Sequence, residues 1–514
     1  MLPLAATDTP AAALTLAAQL PGLMVVVPIL GAIVCALLQR GTLAFVVAML
    51  TTFSMLPMAF GLLAEVQASG AISYRMGGWE PPFGIEYRVD ALNVFVLLLL
   101  SIVASVTIPF ARKSVAVDVD SDKHAWFYAL YLLCLAGLTG MAITGDAFNV
   151  FVFMEISSLA AYILIAIGQR REAFLSAYQY LIVGTIGATF YVIGIGFLYS
   201  MTGTLNLVDI AARLSELGHA QTVPPPLLAA LAFIFVGIAL KLALFPLHAW
   251  LPGAYAHAPS FVTVFLSATA TKVAVYLLVR FVFVVFPAEE VFARVPFREI
   301  LMTLSIAGMI GASLVAIFQE DVKRMFAYSS VAQIGYMTLG IALANEAGLT
   351  GGIVHLFNHG ITKAAAFIAV GAVFYRIHSS GIDDWSGIGR KMPLTCAALA
   401  VAGLSLIGSP GTVGFISKWN LAVGALELGY WWLVVIIMSA SMLAVIYVGR
   451  VLEIVWLRQP VATPDEARPP PATMMVPLIV LGAAIIWFGI DTTLTADLAR
   501  EAARFALAPA GPQP

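Results

Sequence analysis

FNVFVFMEISSLAAYILIAIG, residues 148–168, decides what kind of molecule this is. The run holds one charge, Glu155, and no helix breaker before Gly168. At a rise of about 1.5 Å per residue, such a segment crosses the roughly 30 Å hydrocarbon core of a bilayer. Working outward, similar stretches recur along all 514 residues, centred near 28, 52, 101, 133, 158, 188, 237, 272, 309, 336, 363, 409, 442 and 482. Fourteen spans of about 20 residues each use more than half the chain, which leaves no room for a sizeable soluble domain. The composition agrees: 61% of residues are hydrophobic and 11% charged, against about 45–50% and about 25% in soluble domains. Mean hydropathy is +0.97. A soluble enzyme, a disordered chain and a nucleic-acid binder are excluded. The fold class predicted is an all-α polytopic membrane protein of about 14 transmembrane helices.

The net charge of −2 points to no polyanionic partner. Cys35, Cys134 and Cys396 lie far apart in apolar runs, which argues against disulfides, zinc and iron–sulfur ligation. No phosphate-binding loop, haem motif or strand–glycine–helix motif occurs, so no cofactor and no metal are expected. The first basic residue is Arg40, a poor pattern for a signal peptide. The longest polar connections are 64–90, 205–226, 286–299 and 458–473, the last a flexible loop with Pro460, Pro464 and Pro469 to Pro471.

Lys/Arg asymmetry sets the orientation. One set of connections carries Arg40, Arg112, Lys113, Lys123, Arg170, Arg171, Lys323, Arg324, Arg376, Arg390, Lys391, Arg458 and Arg468, 13 in all. The other carries Arg75, Arg88, Arg213, Arg294, Arg298, Arg500 and Arg504, which is 7. Both termini are therefore expected on the outer side, and the even number of spans, which puts them on one side, agrees.

Four of the eight lysines fall inside apolar spans: Lys241, Lys272, Lys363 and Lys418. A lysine at the bilayer centre costs roughly 2.5–3.5 kcal/mol. A single one can snorkel or pair for packing alone; four at mid-span suggest a protein-lined, hydrated path. Glu155 is the acidic partner expected for them. A buried carboxylate beside an ammonium stays ionised, and loses that preference when the ammonium is removed. A Glu155–Lys241 pair would then switch protons, though a static buried pair is the plainer alternative. In IALKLALFPLHAWLP (238–252), Pro246 breaks the span and frees the carbonyl at Leu242, beside Lys241. In LIGSPGTVGFISKW (406–419), Pro410 with Gly408, Gly411 and Gly414 breaks the span before Lys418. Broken spans at matching places in two halves mark transport sites.

HLFNHGITK (355–363) sets His355, His359 and Lys363 four residues apart on one helical face. Histidine relays protons near neutral pH; a satisfied core histidine is the alternative, and a metal lacks a third ligand. His248 and His257 line a hydrated entrance or cap a helix. Asp146 caps the fifth span. Glu453 is expected to pair with Arg450. The glycines of GTIGATFYVIGIG (184–196) serve close helix packing.

GDAFNVFVFMEISS (145–158), ALKLALFPLHAWLPGAYAHAPS (239–260), LSATATKVAVYLL (266–278), EDVKRMFAYSSVAQIGYM (320–337), HLFNHGITKAAAF (355–367) and GSPGTVGFISKW (408–419) resemble the proton-conducting antiporter family. Its members are the D and A subunits of Mrp-type cation/proton antiporters and the antiporter-like subunits of complex I. The resemblance spans about 75–458, and YRMGGWEPPFGIEYRVDALN (74–93) is most similar to the Mrp D-type chains. It implies two inverted five-helix repeats with spans 7 and 12 broken. Residues 1–110 would hold three leading helices, 125–285 and 300–458 the repeats, and 459–514 a loop, a last helix and a tail. It places the family's key glutamate at Glu155 and its lysines at Lys241, Lys272 and Lys418, with the histidine region at His355 and His359. A proton route through Glu155, Lys241, Lys272, His359 and Lys418 follows, with no redox catalysis in this chain.

The function implied is an ion-translocating subunit of a multi-subunit Na⁺ (or K⁺, Li⁺)/H⁺ antiporter in a bacterial inner membrane, with other membrane subunits as partners. The alternative is a proton-pumping subunit of an NADH:quinone oxidoreductase or membrane-bound hydrogenase complex. A membrane scaffold whose charges merely pair is the reading from a different class.

Overall fold

The computed structural model describes residues 16–217, 224–286, 292–293, 295–459 and 469–508. Arg294, Pro460, Pro464 and Arg468 lie outside them. Helices follow one another as α1 (Leu16–Leu38), α2 (Gly41–Ser69), α3 (Ala91–Asp118), α4 (His124–Ile143), α5 (Ala147–Ala166), α6 (Arg171–Thr202) and α7 (Leu207–Leu217). Then come α8 (Pro225–Leu242), α9 (Trp250–His257), α10 (Ser260–Val279), α11 (Phe297–Ile317), α12 (Val322–Leu343) and α13 (Glu346–Ile377). The last are α14 (Pro393–Ile407), α15 (Val413–Glu427), α16 (Trp431–Trp456), α17 (Ala472–Ile490) and α18 (Leu498–Leu507). Thirteen described helices are long and apolar enough to cross a membrane. A bent pair, Asp383–Arg390 with Pro393–Ile407, brings the number to 14. All the predicted centres fall on these elements or, at 409, on a break between two of them.

The connections hold structure that their polarity concealed. Residues 64–90 contain a hairpin, β1 (Ile72–Arg75) antiparallel to β2 (Glu86–Val89), in the register Ile72↔Val89 to Arg75↔Glu86. Residues 205–226 contain α7. Short polar caps start several spans: the Asp90 side chain accepts the backbone N–H groups of Leu92 and Asn93 at α3, and Asp321 and Asn345 do the same work at α12 and α13.

Burial sorts the helices into two shells. In α3, α4, α10, α12 and α13 at least 78% of the most apolar stretch is buried, against 39% in α1, α2, α6, α16 and α17. Helices apolar all round belong at the centre, and α10, α12 and α13 carry Lys272, Lys323, His355, His359 and Lys363 there. Small residues close the contacts between helices. A methyl group on Gly237 of α8 would sit 2.6 Å from the Gly187 carbonyl of α6, and one on Gly194 would sit 3.0 Å from the Ala230 carbonyl. The glycine-rich run in α6 is thus a packing seam.

Two helices break where the prolines and glycines predict. α8 stops at Leu242, Ala243 turns left-handed (φ 60°), and the chain resumes as α9. α14 stops at Ile407, Gly408 turns left-handed (φ 88°), and the chain resumes as α15.

Candidate functional site

Lys241 ends α8 just before the first break, buried to 8% exposure. Its ammonium donates to the Ser158 hydroxyl and, at 3.4 Å, to the Tyr162 hydroxyl, both on α5. Aromatic rings brace the site: Tyr162 meets Tyr180 edge-on at 4.6 Å, and Tyr180 stacks on Trp250 at 3.9 Å. The Trp250 indole then donates 3.0 Å to the Leu240 carbonyl. The last turn of α8 thus presents the Leu240 carbonyl to an indole as well as to the Ala243 N–H. Gly184 makes room, since a methyl there would clash with the Tyr162 hydroxyl.

Glu155 lies within electrostatic reach of Lys241 but forms no ion pair with it among the described residues. One of its carboxyl oxygens, Oε1, is buried without a hydrogen-bond partner. The direct Glu155–Lys241 contact expected from sequence is thus replaced by Lys241 bonds to Ser158 and Tyr162. Glu155 is half-buried in a stripe of α5 whose other members, Phe148, Val152, Leu159 and Ile163, are exposed. The 3.6-residue period puts it on the outer flank of the bundle.

At the second break the lysine itself meets the carbonyls. Lys418 of α15 donates to the carbonyls of Leu406 (3.0 Å) and Ile407 (2.8 Å), the last of α14, and to Ser441 (2.8 Å). The ammonium also lies 4.5 Å from the Tyr336 ring centre. A cation on the exposed carbonyls of a helix C-terminus is favoured by their partial negative charge.

Between the breaks, α13 carries His355, His359 and Lys363, each at most 2% exposed. The two imidazoles are nearly parallel, 5.7 Å apart. His355 bonds Ser417 through Nδ1 (2.6 Å) and Gln333 through Nε2 (2.9 Å). Both ring nitrogens of buried His359 lack a partner, an arrangement that favours a bridging water. Lys363 points to α12 and donates to the Phe326 carbonyl at 2.7 Å and to the Ser329 hydroxyl. Lys272 of α10 is fully buried and donates to the Ser267 carbonyl and to Thr271. Lys272 is within electrostatic reach of His355, His359 and Lys363, and Lys418 within reach of His355.

The remaining candidates are peripheral. Asp146 caps α5, taking the Asn149 N–H at 2.7 Å; burial pushes its carboxyl above the usual carboxylate range. His248 sits in the first break, its ring 5.0 Å from Phe245, with Nδ1 unpartnered. His257 bonds Ser176 at 2.8 Å. Glu453 pairs with Arg458 (3.2 Å), because Arg450 spends its guanidinium on the carbonyls of Ile317 and Gln319.

Two features escaped the sequence. Lys323, assigned to a loop, is only 2% exposed at the head of α12, which makes it the fifth buried lysine. Asp90 and Arg280 form a bidentate ion pair at 2.7 and 2.8 Å, 1% and 7% exposed. They lie 190 residues apart in sequence, and Arg280 opens a π-helical turn at the end of α10.

The fold and site define a polytopic helical membrane protein with a line of buried titratable groups between two broken helices. The family model described as NADH:quinone oxidoreductase/Mrp antiporter, transmembrane, matches residues 144–444, and the chain belongs to that family. It is 40% identical over 488 residues to the N subunit of the NADH-quinone oxidoreductase of Desulforudis audaxviator, covering 92% of this chain and 96% of that one. It is 27% identical over 472 residues to the D subunit of the Na⁺/H⁺ antiporter of Alkalihalophilus pseudofirmus, covering 91% and 93%. A chain in the structure of the Mrp complex from Dietzia sp. superposes with a TM-score of 0.87 at 26% identity, covering 96% of this chain and 98% of that one.

Proposed function

We propose that this chain, an antiporter-like membrane subunit, moves protons along Lys241, Lys272, His359, His355 and Lys418, with Glu155 biasing the first step. The observation that carries the reading is four lysines and two histidines at the centre of an apolar bundle, the lysines held by hydroxyls and carbonyls rather than by carboxylates. Hydroxyl and carbonyl partners accept from an ammonium without neutralising it, so each lysine stays sensitive to the charge of the next. Lys241 and Lys272 share no hydrogen-bond partner, so a proton passing between them needs a bridging water.

The proposed coupling partner is a monovalent cation, with the chain working as one subunit of a multi-subunit antiporter in a bacterial inner membrane, both termini outside. Two repeats, 125–285 and 300–458, each with one broken helix, fit this use. Glu155 on the outer flank supports assembly, since a carboxyl in an otherwise apolar stripe needs covering by a neighbouring subunit. The 40% identity to a quinone oxidoreductase subunit favours a second reading, in which a redox reaction in other chains drives the same line.

Inverted vesicles from an antiporter-deficient bacterium, carrying the chain with its genomic neighbours, test this. Collapse of ΔpH on adding Na⁺, K⁺ or Li⁺, lost in Glu155→Gln and Lys241→Ala with assembly intact, supports the antiporter. Acidification that follows NADH or quinone and ignores cations supports the redox-driven reading. Full transport by both variants would leave only a scaffold.

A further inference from the structure

We propose that the cavity at the ends of α3, α9, α12 and α13 is the solvent mouth of this proton line, with Lys323 as its relay and the Phe326 and Phe367 rings as its gate. The proposal rests on the proton-translocation reading above. The cavity has a volume of about 120 Å³, and its lining includes Asp118, Arg170, His257, Lys323, Phe374 and His378. A single water needs roughly 10–15 Å³ measured this way, so the space holds several. Four of those side chains exchange protons: a carboxyl, two imidazoles and an ammonium.

Lys323 is poorly matched to its surroundings as a structural pin. Its ammonium donates to the Ser260 hydroxyl at 3.2 Å and to the Ala258 carbonyl at 3.5 Å, and among the described residues no carboxylate lies within ion-pair distance. Asp118 faces the same cavity, but its Oδ2 is occupied by the Ser260 N–H (2.7 Å) and the Ser114 hydroxyl (3.2 Å). Lys323 and Arg170 both approach the Phe374 ring, at 4.8 and 4.7 Å from its centre. A buried ammonium with weak acceptors beside a cavity that holds several waters is placed to hand a proton on.

The next acceptor is close along the same helix. One turn beyond Lys323 is Phe326, whose carbonyl holds the Lys363 ammonium. What separates the two lysines is aromatic: Phe326 and Phe367 meet at 6.3 Å, and Tyr255 backs Phe367 at 6.2 Å. Lys363 lies 5.5 and 5.7 Å from the ring centres of Phe326 and Phe367. This layer excludes water from Lys363, and a ring rotation that admits water would connect the cavity to Lys363, Lys272 and His359.

Cysteine accessibility and transport test the mouth and the gate separately, using the full chain with its neighbouring subunits. Lys323→Cys should react with a membrane-impermeant thiosulfonate. Ser329→Cys should be inert until Phe367→Ala is added, and then react. Phe367→Ala should also create a passive proton leak that Lys323→Met suppresses, which a purely structural lysine would not do. Lys323→Met alone should slow driven proton movement by about a hundredfold, the scale of a lost proton-transfer group. An unreactive Lys323→Cys, or Lys323→Met transporting at the wild-type rate, overturns the proposal. If the wild-type complex moves no protons while Lys323→Cys still reacts, the functional reading fails and the relay and gate fall with it, leaving only a hydrated cavity.

Discussion

Replacing Asp90 by Asn should destabilise the fold more than any loss of a single surface charge, and the structure fixes the scale. Asp90→Asn keeps the side-chain volume and, through Oδ1, the cap of α3, but it puts an amide NH₂ where Oδ2 accepts the 2.7 Å bond from Arg280 and leaves the buried guanidinium charge without a counter-charge. Breaking one side of such a pair costs about 3–5 kcal/mol. Asp90→Ala also removes the acceptor for Leu92 and Asn93, adding about 1 kcal/mol. Scaled to 514 residues, an unfolding entropy of about 2.1 cal/mol/K per residue makes each kcal/mol worth about 1 °C. Asp90→Asn should therefore melt about 3–5 °C lower than wild type, and Asp90→Ala about 1 °C lower still. Cys35, Cys134 and Cys396 are buried, so a thiol-reactive dye reports unfolding of the purified complex. Adding Arg280→Leu to Asp90→Asn should recover part of the loss, because no unpaired charge then remains. Wild-type melting in Asp90→Asn, or strictly additive losses in the double variant, would refute this account of the pair.

Gly184→Ala should abolish or sharply reduce proton movement while the complex still assembles, since the new methyl displaces the Tyr162 hydroxyl that Lys241 uses; vesicle ΔpH assays beside purification yield separate the two effects. Gly237→Ala places a methyl 2.6 and 2.7 Å from backbone atoms of α6 and should cost about 1–3 kcal/mol by dye melting. Gly196→Ala meets open space and should be neutral or stabilising by up to about 1 kcal/mol. Ser417→Ala removes the partner of His355 Nδ1 and should cost about 1–3 kcal/mol, with His359→Ala more damaging to transport than Ser417→Ala.

The spans, both breaks and the lysines within them were legible because each rests on a local rule. Length and hydropathy report a helix in lipid, and proline with glycine reports a break. What stayed hidden depends on tertiary contact. Lys323 follows Asp321 in a polar string, which reads as a connection, yet α12 starts there and carries the side chain inward. The partners of Lys241 are two hydroxyls 79 and 83 residues away, and nothing in a lone serine or tyrosine announces such a role. The Glu155–Lys241 contact was inferred from opposite charge and from the family resemblance, and the structure satisfies Lys241 with neutral groups instead. The expected Glu453–Arg450 pair failed for a similar reason: two backbone carbonyls at the end of α11 and just beyond it compete for Arg450.

The two helix breaks differ in a way that bears on motion. The carbonyl at the end of α8 is taken by the Trp250 indole, whose proton does not leave at any ordinary pH. That joint is latched whatever the charge of its lysine. The carbonyls at the end of α14 are taken by the Lys418 ammonium, which also ties α15 to α16 through Ser441. Each proton that leaves Lys418 strips charge from three bonds at once, and α14, α15 and α16 lose a shared fastening. The fastening of the second joint thus follows the charge of its lysine, while the first is fastened by a group whose charge does not change.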